Sequence, residues 1–190
     1  MSDIEIRPVS GQAELRQFIE LPIRIYRGHK GYAPHLTMER FEAFSAKKNP
    51  HFHHADAEFF LARRGGKVVG RILAQVDHAH LKQQQDATGH FGLLDAEDDP
   101  AIFAALLKAA EDWLRQRGMK ASAGPYSVSI NDEVGQMIEG FNERSMLLMP
   151  YGPPYAPGRI EQAGYAKLMD LYSYEYDVRK APVTIGQRLI

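Results

Sequence analysis

The tripeptide Arg64-Gly65-Gly66 separates two runs of strand-forming residues, Glu58 to Arg63 and Lys67 to Asp77. That arrangement restricts the chain more than any other feature. Glycines accept the positive φ of a tight turn, so the two runs predict an antiparallel hairpin. Further on, Ala101 to Arg117 places Ile102, Leu106, Ala110, Trp113 and Leu114 at three- and four-residue intervals, the period of an amphipathic helix. Asp98 and Asp99 are cap candidates at its start, Pro100 suits the first turn, and Gly118 suits the end. A hairpin and a striped helix must bury their apolar sides against something. Mixed in this order they predict an α/β fold in which helices cover a sheet.

The rest of the chain fills in that plan. Ile4 to Val9 alternates apolar and polar residues as a short strand does. Gly11 to Arg24 carries Leu15, Phe18 and Ile19 along one helical stripe, with Pro22 disturbing its last turns. Leu36, Phe41 and Phe44 mark a second helix. Thr88 to Asp95 is a strand candidate, and Ala121 to Ile130 an extended stretch broken by Gly124-Pro125. Glu133 to Glu139 is helix-like, with Asn131 or Asp132 as its cap. Met146 to Tyr155 predicts a buried strand running into a proline turn, or an apolar pocket wall. Arg159 to Ala163 forms a short helix ended by Gly164. Lys167 to Val178 alternates strictly and predicts a closing strand with Tyr172, Tyr174 and Tyr176 on one face. Residues 179–190 form a tail or a truncated linker after a single domain spanning 1–178.

Composition narrows the chemistry. With 23 Lys and Arg against 24 Asp and Glu, the net charge is −1, so no basic field calls for nucleic acid. The chain has no cysteine, which excludes disulfides, thiolate metal ligands and a cysteine nucleophile. No apolar run approaches the ~20 residues of a membrane span. The N-terminus lacks the basic flank and apolar run of a secretory signal, so a cytoplasmic protein is expected.

The segment Ala104 to Gly118, which includes Trp113, resembles the acyl-CoA-carrying helix of the GCN5-related N-acetyltransferase (GNAT) superfamily. Arg159-Ile160-Glu161-Gln162-Ala163-Gly164-Tyr165 is similar to the short helix before that family's last strands. Gly124-Pro125, Asn131, Gly140-Phe141, Pro153-Pro154-Tyr155 and Gly164-Tyr165 resemble an uncharacterised bacterial branch that often has two such domains in tandem. The resemblance covers residues 4–178. It implies an acyl-CoA N-acyltransferase-like fold, a central twisted, mostly antiparallel sheet flanked by helices. It also implies transfer of an acyl group from acyl-CoA or acetyl-CoA to a small-molecule amine by direct attack. A second GNAT-like domain or a homodimer is the implied partner.

The same resemblance implies roles for particular residues. Backbone N–H groups at Leu93 and Leu94 would hold the oxyanion, and Ala101 and Ile102 open the helix that would face the cofactor phosphates. Glu133 is the candidate general base and Tyr155 the candidate proton donor, with Asn131 and Tyr151 as acceptor-binding residues. Two features favour a different reading, a GNAT-fold module that has lost CoA chemistry and serves ligand binding or dimerisation. Asp95-Ala96-Glu97-Asp98-Asp99 places four acids where phosphate would sit, and Ile160 stands where many members carry a tyrosine. The histidines at 51, 53, 54, 78 and 80 are candidate metal ligands. Asp56 and Asp77 are near, but no acidic partner stands at a recognisable ligand spacing, so no metal is expected.

Overall fold

The computed structural model describes residues 3–174 and Arg179. Its elements run β1 (Ile4–Pro8), α1 (Gly11–Ile25), α2 (Thr37–Ala43), a 3-10 turn (Pro50–His53), β2 (Ala55–Arg64), β3 (Lys67–Asp77), α3 (His78–Gln84), β4 (Thr88–Ala96), α4 (Pro100–Gln116), β5 (Ala121–Ala123) and α5 (Ala156–Gln162). The strands form one sheet in the order β1-β2-β3-β4-β5. The first four are antiparallel neighbours, and β5 joins β4 in parallel. The fold is therefore the expected mixed α/β sheet, mostly antiparallel. Among the described residues, no helix is long and apolar enough to cross a membrane.

Strand alternation sorts side chains onto two faces. Phe60, Ala62, Ile72, Ala74 and Phe91 pack with Ile102, Leu106 and Leu107 of α4. Leu61 lies on the opposite face, clustered with Phe18 and Ile19 of α1, Phe44 and Val128. The start of α4 is built as its sequence dictates: the Asp99 carboxylate accepts from the Ala101 N–H at 2.8 Å, and Pro100 occupies the first turn. Gly118 takes φ +82° at the far end.

Three expectations need correction. No helix forms over 133–139; Asp132 instead accepts from the Ser129 N–H and hydroxyl, at 3.0 and 2.9 Å. Met146 to Tyr155 is not a buried strand. Met146, Leu147 and Leu148 are exposed, and the prolines that follow cannot donate to a ladder. Residues 167–174 are not a strand either, despite their alternation, because a strand exists only where another chain segment completes its hydrogen bonds. The rest of that expected strand, 175–178, lies outside the described residues, as do 180–190. The sequence reading also passed over α3, whose start is capped by Asp77 accepting from Ala79 N–H and His80 N–H.

Candidate active site

A bulge in β4 positions the site. Leu73 pairs with Gly92, and Arg71 with Asp95, so Leu93 and Leu94 together oppose Ile72 alone. Leu93 has φ +47°. The extra residue leaves the regular ladder and reverses the strand's phase. Phe91 and Leu94 consequently both face α4, while Leu93 and Asp95 face the other side. On the far edge of β4 the parallel ladder ends at His90–Ala123, followed by one bond from Tyr126 N–H to Phe91 O at 2.9 Å. The chains meet closely there: a Cβ on Gly92 would lie 1.3 Å from the Tyr126 carbonyl oxygen, so only glycine fits. Beyond this contact, Leu93–Asp95 and Pro125–Ser127 line a cavity of about 100 Å³.

Three groups of side chains surround the cavity. At one side Arg71 and Asp95 form a buried ion pair at 2.7 Å. The Tyr26 hydroxyl also donates to Asp95, and an Arg71 Nη donates to Phe18 O at 2.8 Å. Burial and the Asp95 carboxylate push the Tyr26 pKa well above its usual 10, so it stays a neutral donor. A second group is aromatic: the Tyr26, Tyr32 and Tyr151 rings meet at centroid distances of 5.1 to 5.2 Å. The Tyr151 hydroxyl lies 2.8 Å from His29 Nδ1. Burial raises the Tyr32 pKa to about 12.

The third group joins Arg40 and His35, from α2 and the loop before it, to Glu133. Arg40 pairs with Glu133, and both side chains are largely buried. His35 Nε2 is 3.3 Å from Glu133 Oε1. Burial would raise the Glu133 pKa, but the hydrogen bond and charge of Arg40 overcome that and leave it lowered. Burial, then the Arg40 charge, lowers the His35 pKa against the smaller pull of Glu133. At neutral pH this corner therefore holds an ionised carboxylate beside a neutral imidazole; one Arg40 Nη lies 2.7 and 2.6 Å from His35 Nδ1 and Nε2, so the imidazole must turn from that cation before its lone pair can accept a proton.

Of the expected site residues, Leu93, Leu94, Glu133 and Tyr151 converge on this cavity. Tyr155 is not among the lining residues. Its hydroxyl donates to Ala96 O at 2.7 Å, its ring meets Phe103, and burial drives its pKa far above 10. Asn131 is exposed, with its N–H donated to Ser129 Oγ at 3.1 Å. The Ala101 and Ile102 amides are bonded to the Asp99 side chain and Asp99 carbonyl, at 2.8 and 3.1 Å. The acidic stretch also differs from its sequence impression, because each acid meets a cation. Asp95 meets Arg71, Glu97 meets Arg24 and Lys67, Asp98 meets Arg159, and Asp99 meets Arg64, at 2.7 to 3.0 Å. Sequence reasoning missed Tyr26, Tyr32, His35, Arg40 and Arg71. Only Arg71 left a signal, a charged residue inside the apolar run Val68 to Val76.

Helices over both faces of this sheet, the bulged β4 and the short parallel β5 define the class. The chain is a protein of the GNAT fold. An aminoglycoside acetyltransferase from an uncultured soil metagenomic sample superposes with TM-score 0.53 at 13% identity, covering 92% of this chain and 96% of that one. A tandem GNAT protein from the clavulanic acid biosynthesis pathway gives TM-score 0.54 at 14% identity, with 85% of this chain and 43% of that one covered. In sequence, the chain is 45% identical over all 190 residues to the bacterial ceramide synthase of Caulobacter vibrioides (strain NA1000 / CB15N), matching 50% of that protein. It is 41% identical over 169 residues, 89% of this chain, to protein YghO of Escherichia coli (strain K12), matching 43% of it. The chain thus spans about half the length of the curated relatives it matches. No protein-family model matches it.

Proposed function

We propose that the chain is the acyl-transfer half of an N-acyltransferase that moves a fatty acyl group from acyl-CoA to the amine of a long-chain amino alcohol. The observation that carries this reading is the convergence of the β4 bulge with the His35–Glu133 pair at one cavity. The likeness to a ceramide synthase supports the substrate class, since a ceramide is an N-acylated long-chain amino alcohol. Ile138, Met146, Leu147 and Leu148 are exposed on the segment whose Gly135, Gln136, Pro150 and Tyr151 line the cavity, giving apolar chains a surface to lie on. The cavity itself takes only the reacting head.

In the reaction, the amine nitrogen attacks the thioester carbonyl carbon and the carbonyl oxygen becomes an oxyanion. Backbone N–H groups at the Leu93–Leu94 bulge, where the regular ladder is interrupted, stabilise that charge. His35 takes the amine proton through water, and the ionised Glu133 steadies the imidazolium that forms. The intermediate collapses to the amide and a CoA thiolate. A free thiol has a pKa of about 8.5, so the thiolate takes its proton from solvent and needs no dedicated acid. Tyr155 then serves to anchor the start of α5.

A second reading, a GNAT-fold module without CoA chemistry, draws on the first amides of α4, which Asp99 already occupies. Thermal unfolding separates the two. Palmitoyl-CoA at 100 times its dissociation constant stabilises the chain by about 2.7 kcal/mol, raising Tm by about 5–11 °C. No shift with palmitoyl-CoA, acetyl-CoA or CoA would leave the module reading.

A further inference from the structure

Five of the eight histidines, at 51, 54, 78, 80 and 90, gather where β2 begins and β3 ends. By strand rise this is about 20 Å along β3 from Arg71 and the cavity. We propose that His51, His54 and Asp77 form a binding site for one divalent transition-metal ion, zinc by preference, with water completing the coordination.

The fold supplies the ligand that sequence spacing could not. Asn49 caps the 3-10 turn by accepting from the His51 N–H at 3.0 Å, and the turn sets His51 and His54 three residues apart. The hairpin register pairs Ala55 with Asp77, and His78 N–H donates to His54 O at 2.9 Å. One ligand atom from each of the three side chains then lies within 4.8 Å of the others. Donors around zinc sit about 3.3–3.6 Å apart, given bond lengths of about 2.0–2.2 Å. The half-exposed His54 side chain can supply that contraction.

The surroundings are arranged as around a metal. The buried His51 places Nε2 3.1 Å from the Gln75 side-chain oxygen Oε1; in the tautomer that donates this bond, Nδ1 keeps its lone pair for an ion. Orientation of a ligating imidazole by a hydrogen bond from its other nitrogen is the usual support of such sites. Asp77 Oδ1 takes the Ala79 and His80 amides and His54 Nδ1, while Oδ2 takes part in none of these bonds. Two nitrogens and one oxygen suit zinc, nickel or copper, whereas calcium and magnesium require oxygens. His78 and His80 lie outside this three-residue group and pair with other acids, Asp56 at 3.0 Å and Asp86 at 3.3 Å.

Purified chain stripped with EDTA and titrated with zinc chloride provides the test. We expect one equivalent bound per chain, a raised Tm, and a tetrahedral cobalt(II) absorption spectrum on substitution. His54→Asn and Asp77→Asn, both at exposed or half-exposed positions, should each weaken zinc binding at least tenfold, and calcium should give no shift. His78→Asn should bind as the parent does. Absence of stoichiometric zinc, or binding that His54→Asn leaves intact and His78→Asn abolishes, would overturn the proposal. Acyl transfer does not enter these readouts, so the site stands or falls apart from the enzymatic reading.

Discussion

Arg71 and Asp95 occupy positions that a covered sheet ordinarily fills with aliphatic side chains, and removing one is unlike removing both. Arg71→Leu leaves the Asp95 carboxylate buried with, among the described residues, the Tyr26 hydroxyl as its donor. A loss of about 3–5 kcal/mol is expected in urea unfolding, whereas exchanging both partners for apolar residues costs much less. His35 makes a different prediction. His35→Asn should lower kcat about 10²- to 10⁴-fold with the KM for acyl-CoA nearly unchanged. Because burial and Arg40 lower its pKa, the imidazole is neutral at pH 7 and above. The rate should therefore hold steady there and fall only as acidification passes below the ordinary histidine value of 6.5. Arg40→Leu removes one of the two main causes of that lowering, so the acid limb of the pH–rate profile should move toward neutrality. A limb that stays in place would detach His35 from proton transfer.

At the scale of elements, most of the architecture was legible. The glycine turn and its two apolar runs became β2 and β3, and the 3.6-residue stripe became α4, because both patterns are local and period-determined. Asp99 caps α4 as its sequence position implies, so Asp99→Ala should cost about 1 kcal/mol through the lost cap, readable as a lower Tm. The bulge was not legible. One inserted residue at Leu93–Leu94 changes phase without changing composition, and only the register against β3 reveals it. Lys167 to Tyr174 shows the converse: a segment expected to be a strand that forms no ladder, since pairing depends on what lies beside a segment rather than within it. The site was legible in the same partial way. Glu133 and Tyr151 stood out beside motifs, but His35 and Arg40 sit in a loop and a short helix whose packing over β4 no spacing rule foretells.

For the whole molecule, a net charge of −1 conceals a designed neutralisation. Four acids at 95–99 are met by five cations drawn from α1, β2, β3 and α5, segments far apart in the chain. The stretch that looks hostile to phosphate in sequence is close to balanced in space. That removes one argument against an acyl-CoA reading, and it leaves the reaction itself as the decisive observable. Incubating the chain with palmitoyl-CoA and a long-chain 2-amino-1,3-diol, with product detected by mass spectrometry and free thiol counted in parallel, tests it directly. We expect amide and thiol in equal amounts, both lost in His35→Asn. Thiol released without amide, or amide formed at an undiminished rate in His35→Asn, would contradict it.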